Sequence, residues 1–154
     1  MMNKVILDTN YIIALIDDKD KRAIIAGQLS VKLKLREAKA IYLDCVLNEV
    51  ISVLGKRFEE RKRTTEFRST LKRLIDLVPK DKITWVYPEV PRLYEQVLKI
   101  IEKYKGKLNF HDGLIVAATK EMGIDCIVSF DEDFDEIPKL KRIGDILRLN
   151  EVLG

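Results

Sequence analysis

Short apolar runs alternate along this chain with longer stretches in which apolar residues recur every three or four positions. A brief apolar run bounded by polar residues suits a buried strand, and the longer period suits a helix with one face in a core. Residues 4–7, 40–43, 83–87, 126–128 and 141–143 read as strands. Residues 10–16 and 19–38 read as helices, the second with Ile24, Ile25, Leu29 and Leu33 as its inward stripe. Asp44 is placed to cap a helix carrying Leu47, Val50, Ile51, Leu54 and Phe58, and a basic helix through Leu71, Leu74 and Ile75 stops before Pro79. A helix through Leu93, Val97, Ile100 and Ile101 reaches Gly106, and another opens near His111 with Leu114, Ile115, Ala118 and Met122 inward. A short terminal helix runs to Leu149. Strands joined through helices predict a three-layer α/β/α fold with a mostly parallel central sheet. Ligands of such a sheet bind beyond the carboxyl ends of its strands.

The 154 residues, 47% of them hydrophobic, are enough for one core, so residues 1–154 are expected to form a single domain. Cys45 and Cys126 lie far apart without a CxxC pair, and His111 is the one histidine, which argues against a zinc ribbon or a disulfide scaffold. Asp8, Asp17 and Asp18 interrupt the N-terminal apolar residues too soon for a membrane span or a secretory leader. The expectation is a soluble cytoplasmic protein.

The acids fall where such a fold places its ligands. Asp8 follows the first strand, Asp44 and Glu49 follow the second, Asp131 follows the fourth, and Asp112 opens a helix at the same edge. Carboxylates about 4 Å apart repel by roughly 4 kcal/mol per pair at an effective dielectric near 20, so some must protonate or a cation must bind. Oxygen donors without Cys or clustered His favour Mg²⁺ or Mn²⁺ over zinc. Phosphodiester hydrolysis is the matching chemistry: one ion can acidify an attacking water while a second, about 3.5–4 Å away, stabilises the leaving oxygen.

Charge patterning agrees with a polyanionic substrate. Residues 56–73 carry eight basic side chains against three acidic ones, whereas residues 125–136 carry six acids and no base. Arg57, Arg61, Arg63 and Arg68 could follow a phosphate backbone, while Trp85, Tyr87 and Phe110 read as core residues rather than stacking platforms. Other folds with strand-end acids fit less well. A haloacid-dehalogenase-like phosphatase needs Asp where Asn10 stands, and none of the seven glycines builds a P-loop or a dinucleotide fingerprint. A receiver domain does not spread its acids over Glu49, Asp112 and Asp131.

Leu7-Asp8-Thr9-Asn10, Leu47-Asn48-Glu49-Val50, the stretch from His111-Asp112-Gly113 to Ala118, and Ser129-Phe130-Asp131-Glu132-Asp133-Phe134 resemble the ordered signature of PIN-domain ribonucleases, including VapC-type toxins. The resemblance spans residues 4 to about 143. It implies an Mg²⁺- or Mn²⁺-dependent endoribonuclease with Asp8, Glu49, Asp112 and Asp131 as its acidic quartet. Asp8, Asp112 and Asp131 would hold metal, and Glu49 would position or deprotonate the attacking water. Asp133 would be an auxiliary acid, and Thr9 and Asn10 would orient Asp8 or a water on the metal. Helical phasing alone leaves Glu49 opposite its apolar stripe, and sequence alone lets Asp133 exchange roles with Asp131. His111 stays outside the catalytic set, because a single histidine beside an acid cluster is more often a packing or hydrogen-bonding residue. The resemblance further implies an RNA substrate, a homodimer and, for a toxin, a small antitoxin partner. A stand-alone ribosomal or transfer RNA processing nuclease and a non-catalytic PIN-like binding module carry the same residues.

Overall fold

The computed structural model of the protein describes residues 2–154. β1 (Lys4–Leu7), β2 (Lys39–Leu43), β3 (Ile83–Thr84), β4 (Cys126–Val128) and β5 (Lys141–Ile143) form one sheet in the order β3-β2-β1-β4-β5. Every adjacent pair is parallel, so each connection must cross the sheet rather than turn back in a hairpin. β1 is central, with Ile6 opposite Ile41 on one side and Ile127 on the other, and its Val5, Ile6 and Leu7 are buried.

Helices α1 (Thr9–Ile16), α2 (Ala23–Leu35), α3 (Asp44–Glu60) and α4 (Phe67–Leu77) pack on one another, and α7 (Ile146–Leu153) packs on α2. Helices α5 (Val90–Lys103) and α6 (Phe110–Met122) form the second set. The chain moves outward from β1 through β2 to β3, then returns through α5 and α6 to β4 on the far side of β1. Right-handed crossovers running in opposite directions place the two helical sets on opposite faces of the sheet. α6 is buried continuously from Gly113 to Thr119. A Cβ at Gly113 would come within 3.1 Å of Val97 Cγ1, so the missing side chain is what lets α6 sit close on α5. Gly123, at φ 65°, ends α6 in a left-handed turn. No helix among the described residues is long and apolar enough to cross a membrane.

Five sequence expectations need correction. The helix placed at 19–38 starts at Ala23, because Asp17 Oδ1 accepts from Lys19 N and Asp20 Oδ1 accepts from Arg22 N, which locks residues 17–22 into turns. Ile24 is consequently 81% exposed, and Ala26, Leu29 and Leu33 face the core. The strand placed at 83–87 ends at Thr84, since Asp44 takes the backbone N–H groups of Val86 and Tyr87 that would have extended it. The chain then turns outward, so Trp85 is 53% exposed, and Tyr87 and Phe110 are exposed too rather than core. Ile51, Ile75 and Met122 likewise sit at the exposed margins of their helical stripes. The last helix runs past Leu149 to Leu153, with Asp145 capping it through Arg148 N.

Candidate active site

β1 and β4 are neighbours whose chains leave the sheet in different directions, and the gap beyond their carboxyl ends is where a parallel sheet opens a crevice. Asp8 stands at that gap. Its N–H donates to Val128 O at 3.0 Å, and its Oδ2 accepts from Ser129 Oγ at 2.6 Å. Although it occupies the N-cap position of α1, its carboxylate makes no capping bond and remains available to the crevice. Asp8 is only 5% exposed, and burial pushes its pKa up to about 6. The Ser129 bond, the Thr9 backbone and the charge of His111 oppose that rise, while Asp112 adds to it.

Asp112 is fixed by its own helix end. Asn109 Oδ1 accepts from Asp112 N at 2.9 Å while Asp112 Oδ2 accepts from Asn109 N at 3.3 Å, a reciprocal capping box. Its pKa is raised, by burial first, against the lowering effect of the Asn109 bond, with Asp131 and Glu49 repelling its charge. Asp131 heads a 3₁₀ turn at Glu132–Glu136 and accepts from Asp133 N at 2.9 Å. Its own N–H donates to Ser129 Oγ at 3.0 Å. Of the two acids that sequence could not separate, Asp131 lines the crevice, and Asp133 points to Lys107 at 3.6 Å.

Glu49 also lines the crevice, and its Oε2 lies 2.8 Å from His111 Nε2. The nitrogen's N–H direction misses that oxygen, so this is a charge contact without an aligned hydrogen bond. Burial alone would lower the His111 pKa, but Glu49, Asp8 and Asp112 outweigh it and raise it. His111, set aside on sequence grounds, therefore belongs to the electrostatics of the acid group. Thr9 Oγ1 is buried there without a hydrogen-bond partner among the described residues, and Asn10 Oδ1 accepts from Phe130 N at 3.1 Å.

The crevice encloses about 480 Å³ between an acidic floor of Asp8, Glu49, Asp112 and Asp131 and a basic wall of Lys19, Lys21, Arg22, Arg57 and Arg61. Four acids from four parts of the chain thus share one cavity. Among the described residues no three Asp, Glu, His or Cys side chains are drawn to mutual ligand distance. A hard cation that keeps several waters and takes one or two carboxylates needs no tighter cage. The oxygen donors, the buried Asp8 charge and the unpartnered Thr9 hydroxyl fit such an ion.

The predicted basic residues divide. Arg61 lines the crevice, and so does Arg57, whose Nη1 is held by Asp17 at 3.0 Å and Asp20 at 2.8 Å. Arg63 is tied to Asp17 at 2.7 Å and Glu66 at 2.9 Å, with its guanidinium 4.3 Å from the centre of the Phe58 ring. Arg68 lines a separate hollow with Leu71, Lys72 and Ile75. Lys21 and Arg22 went unnoticed in the sequence, where interleaved Asp17, Asp18 and Asp20 mask their charge. Ser129 was visible only as the residue ahead of Phe130 and Asp131.

The PIN domain family matches residues 5–140. The chain belongs to the PIN domain family. None of the curated proteins matches its sequence. Among solved structures, this PIN domain is similar to Mycobacterium tuberculosis VapC20, a sarcin-ricin loop cleaving toxin, at TM-score 0.64 and 21% identity over 85% of this chain and 92% of that one. It is also similar to VapBC2 from Rickettsia felis bound to a fragment of promoter DNA, at TM-score 0.64 and 17% identity over 91% and 97% of the two chains. DNA-bound VapBC from Salmonella typhimurium gives TM-score 0.64 and 15% identity over 93% and 98%. At such identities these likenesses concern the fold.

Proposed function

We propose that this PIN domain is a metal-dependent endoribonuclease that hydrolyses RNA phosphodiester bonds, and that it is the toxin of a cytoplasmic toxin-antitoxin pair. The observation that carries the reading is the convergence of Asp8, Glu49, Asp112 and Asp131 on one crevice walled by cations. Asp8, Asp112 and Asp131 would hold Mg²⁺ or Mn²⁺. When bound, the ion supplies an acidified water and neutralises charge developing on the phosphodiester. Ser129 holds the Asp8 carboxylate in place, and the Asn109 capping box holds Asp112. Glu49 reaches the crevice from α3, where it can position an attacking water or take its proton, and His111 steadies it at 2.8 Å. The toxin role is supported by the likeness to VapC20 and to two VapBC complexes, from which an antitoxin partner follows as a proposal, while a homodimer is proposed from the resemblance to PIN-domain ribonucleases alone.

The test is cleavage of a mixed RNA pool by purified wild type and Asp8→Asn, each with Mg²⁺, Mn²⁺ or EDTA. Cleavage that needs metal and is lost in Asp8→Asn supports the reading; a folded wild type that never cuts, or an Asp8→Asn variant with full activity, ends it. Toxicity on expression, relieved by co-expression of a small neighbouring gene, separates a toxin from an RNA-processing nuclease.

A further inference from the structure

Among the described residues, Lys21, Arg22 and Arg61 differ from the other cations of the crevice in having no carboxylate within ion-pair distance, whereas Lys19 is matched to Glu66 and Arg57 to Asp17 and Asp20. Within this unpaired set Arg22 has an unusual seat. Its guanidinium carbon lies 5.0 Å from the centre of the Phe130 ring, in the residue directly before Asp131. Both halves of the stack are anchored through their backbones. Asp20 Oδ1 accepts from Arg22 N at 2.8 Å, and Asp20 is itself gripped by Arg57. Asn10 Oδ1 accepts from Phe130 N at 3.1 Å, and Tyr11 packs against the ring at 6.2 Å between centroids. Arg22 is nonetheless exposed and lines the crevice.

A planar guanidinium set over a ring, exposed to solvent and lining the crevice, brings a flat cation to the edge of the acidic floor. An unpaired nucleobase can stack on such a plane, while a paired base hides its faces inside the duplex. We infer that Arg22, held on Phe130, receives an unpaired nucleobase beside the scissile phosphate and so selects single-stranded RNA, with Lys21 and Arg61 taking flanking phosphates. The inference rests on the ribonuclease reading for its substrate class, but it concerns binding and is tested without cleavage.

The experiment measures fluorescence anisotropy of a labelled short single-stranded RNA, and of the same strand in a perfect duplex, in EDTA so that nothing is cut. Wild type should bind the single strand more tightly than the duplex. Arg22→Lys keeps the charge and loses the plane, so single-strand affinity should fall about tenfold while the salt dependence stays and duplex binding is unchanged. Arg22→Ala should lose more affinity than Arg22→Lys and also flatten the logarithmic salt slope by about one. Phe130→Leu, which removes the seat, should match Arg22→Lys. Arg22→Lys or Phe130→Leu binding like wild type, equal losses on duplex, or no single-strand preference in wild type would each overturn the inference. Metal-dependent cleavage is scored separately on the same preparations. The expected binding pattern without cleavage removes the nuclease reading and leaves the platform; cleavage with a wild-type-like Arg22→Lys does the reverse.

Discussion

Ser129 donates its hydroxyl proton to Asp8 Oδ2 at 2.6 Å across 121 residues of chain, and the same Oγ accepts from the N–H of Asp131 at 3.0 Å. One hydroxyl thereby fixes the spacing of two crevice acids and opposes the rise that burial imposes on the Asp8 pKa. A serine hydroxyl has one proton to give, and here it is committed to Asp8.

Ser129→Ala removes that donor and leaves the Asp131 N–H without its acceptor. Affinity for Mn²⁺ by calorimetric titration should fall about 10–100-fold, the usual cost of losing a group that orients a ligand. Binding should also move to higher pH, because the Asp8 pKa rises further once the Ser129 bond is gone. Unfolding stability in EDTA should drop by about 1–3 kcal/mol. Unchanged Mn²⁺ affinity would deny Ser129 its part in the site.

Asp8→Asn should abolish cleavage and yet stabilise the metal-free fold. The folded-state pKa of Asp8, about 6, lies above its ordinary 3.8. At acid pH below the lower value, the carboxyl is protonated in both states and contributes nothing. As pH climbs through the interval the unfolded chain ionises first, so the fold loses stability until about pH 6, reaching ~3 kcal/mol and staying there. Denaturant melts in EDTA should therefore show the variant more stable at neutral pH and the two proteins converging below about pH 4. Parallel curves at all pH values would contradict the buried charge.

Asp17 runs the other way. Burial would raise its pKa, but hydrogen bonds from Arg63 and Arg57 outweigh that and bring it down to about 2. The stabilisation is fully present above the ordinary 3.8 and is lost as pH falls toward 2. Asp17 is 1% exposed and joins the end of α1 to the end of α3, while both arginines keep some contact with solvent. Asp17→Asn should cost about 2–4 kcal/mol near neutral pH, somewhat below the range for a fully buried pair, with the deficit shrinking in acid. Urea melts across the acid range measure both.

Asp44→Ala tests a structural acid that lies near the crevice acids without joining them. The Asp44 carboxylate accepts from the N–H groups of Cys45, Val86 and Tyr87, which staples the start of α3 to the chain leaving β3. Truncation leaves these donors without an acceptor and should cost about 2–4 kcal/mol in urea unfolding. Asp44 does not line the crevice, so the folded variant should retain Mn²⁺ affinity. Loss of metal binding from a folded Asp44→Ala protein would move it into the site.

Local order was legible in the residues themselves. Val5-Ile6-Leu7 before Asp8 reads as a strand meeting a turn, and the apolar spacing of α3, α5 and α6 follows directly from which faces are buried. These features depend on backbone preference and on periodicity within one element, so the alternation of strands and helices and the parallel sheet could be read without coordinates. The end of the third strand could not, because the acceptor that stops it at Thr84, Asp44, lies on a different element.

Which side chains meet was decided by the tertiary structure. Periodicity placed Glu49 opposite its helix's apolar stripe, a position as suitable for solvent as for a crevice. Only the packing of α3 beside the start of α6 brings it to His111. Charge counting chose Arg63, which the fold spends on Asp17 and Glu66, and passed over Arg22, which the fold seats on Phe130. Sequence by itself determined the elements, the sheet and the acids at its strand ends, because those are short-range properties of the chain. The roles of Ser129, Asp131, Arg22 and Arg63 required the fold, because a charge or hydroxyl takes its function from partners that only the adjacency of β1 and β4 and the packing of their helices bring within reach.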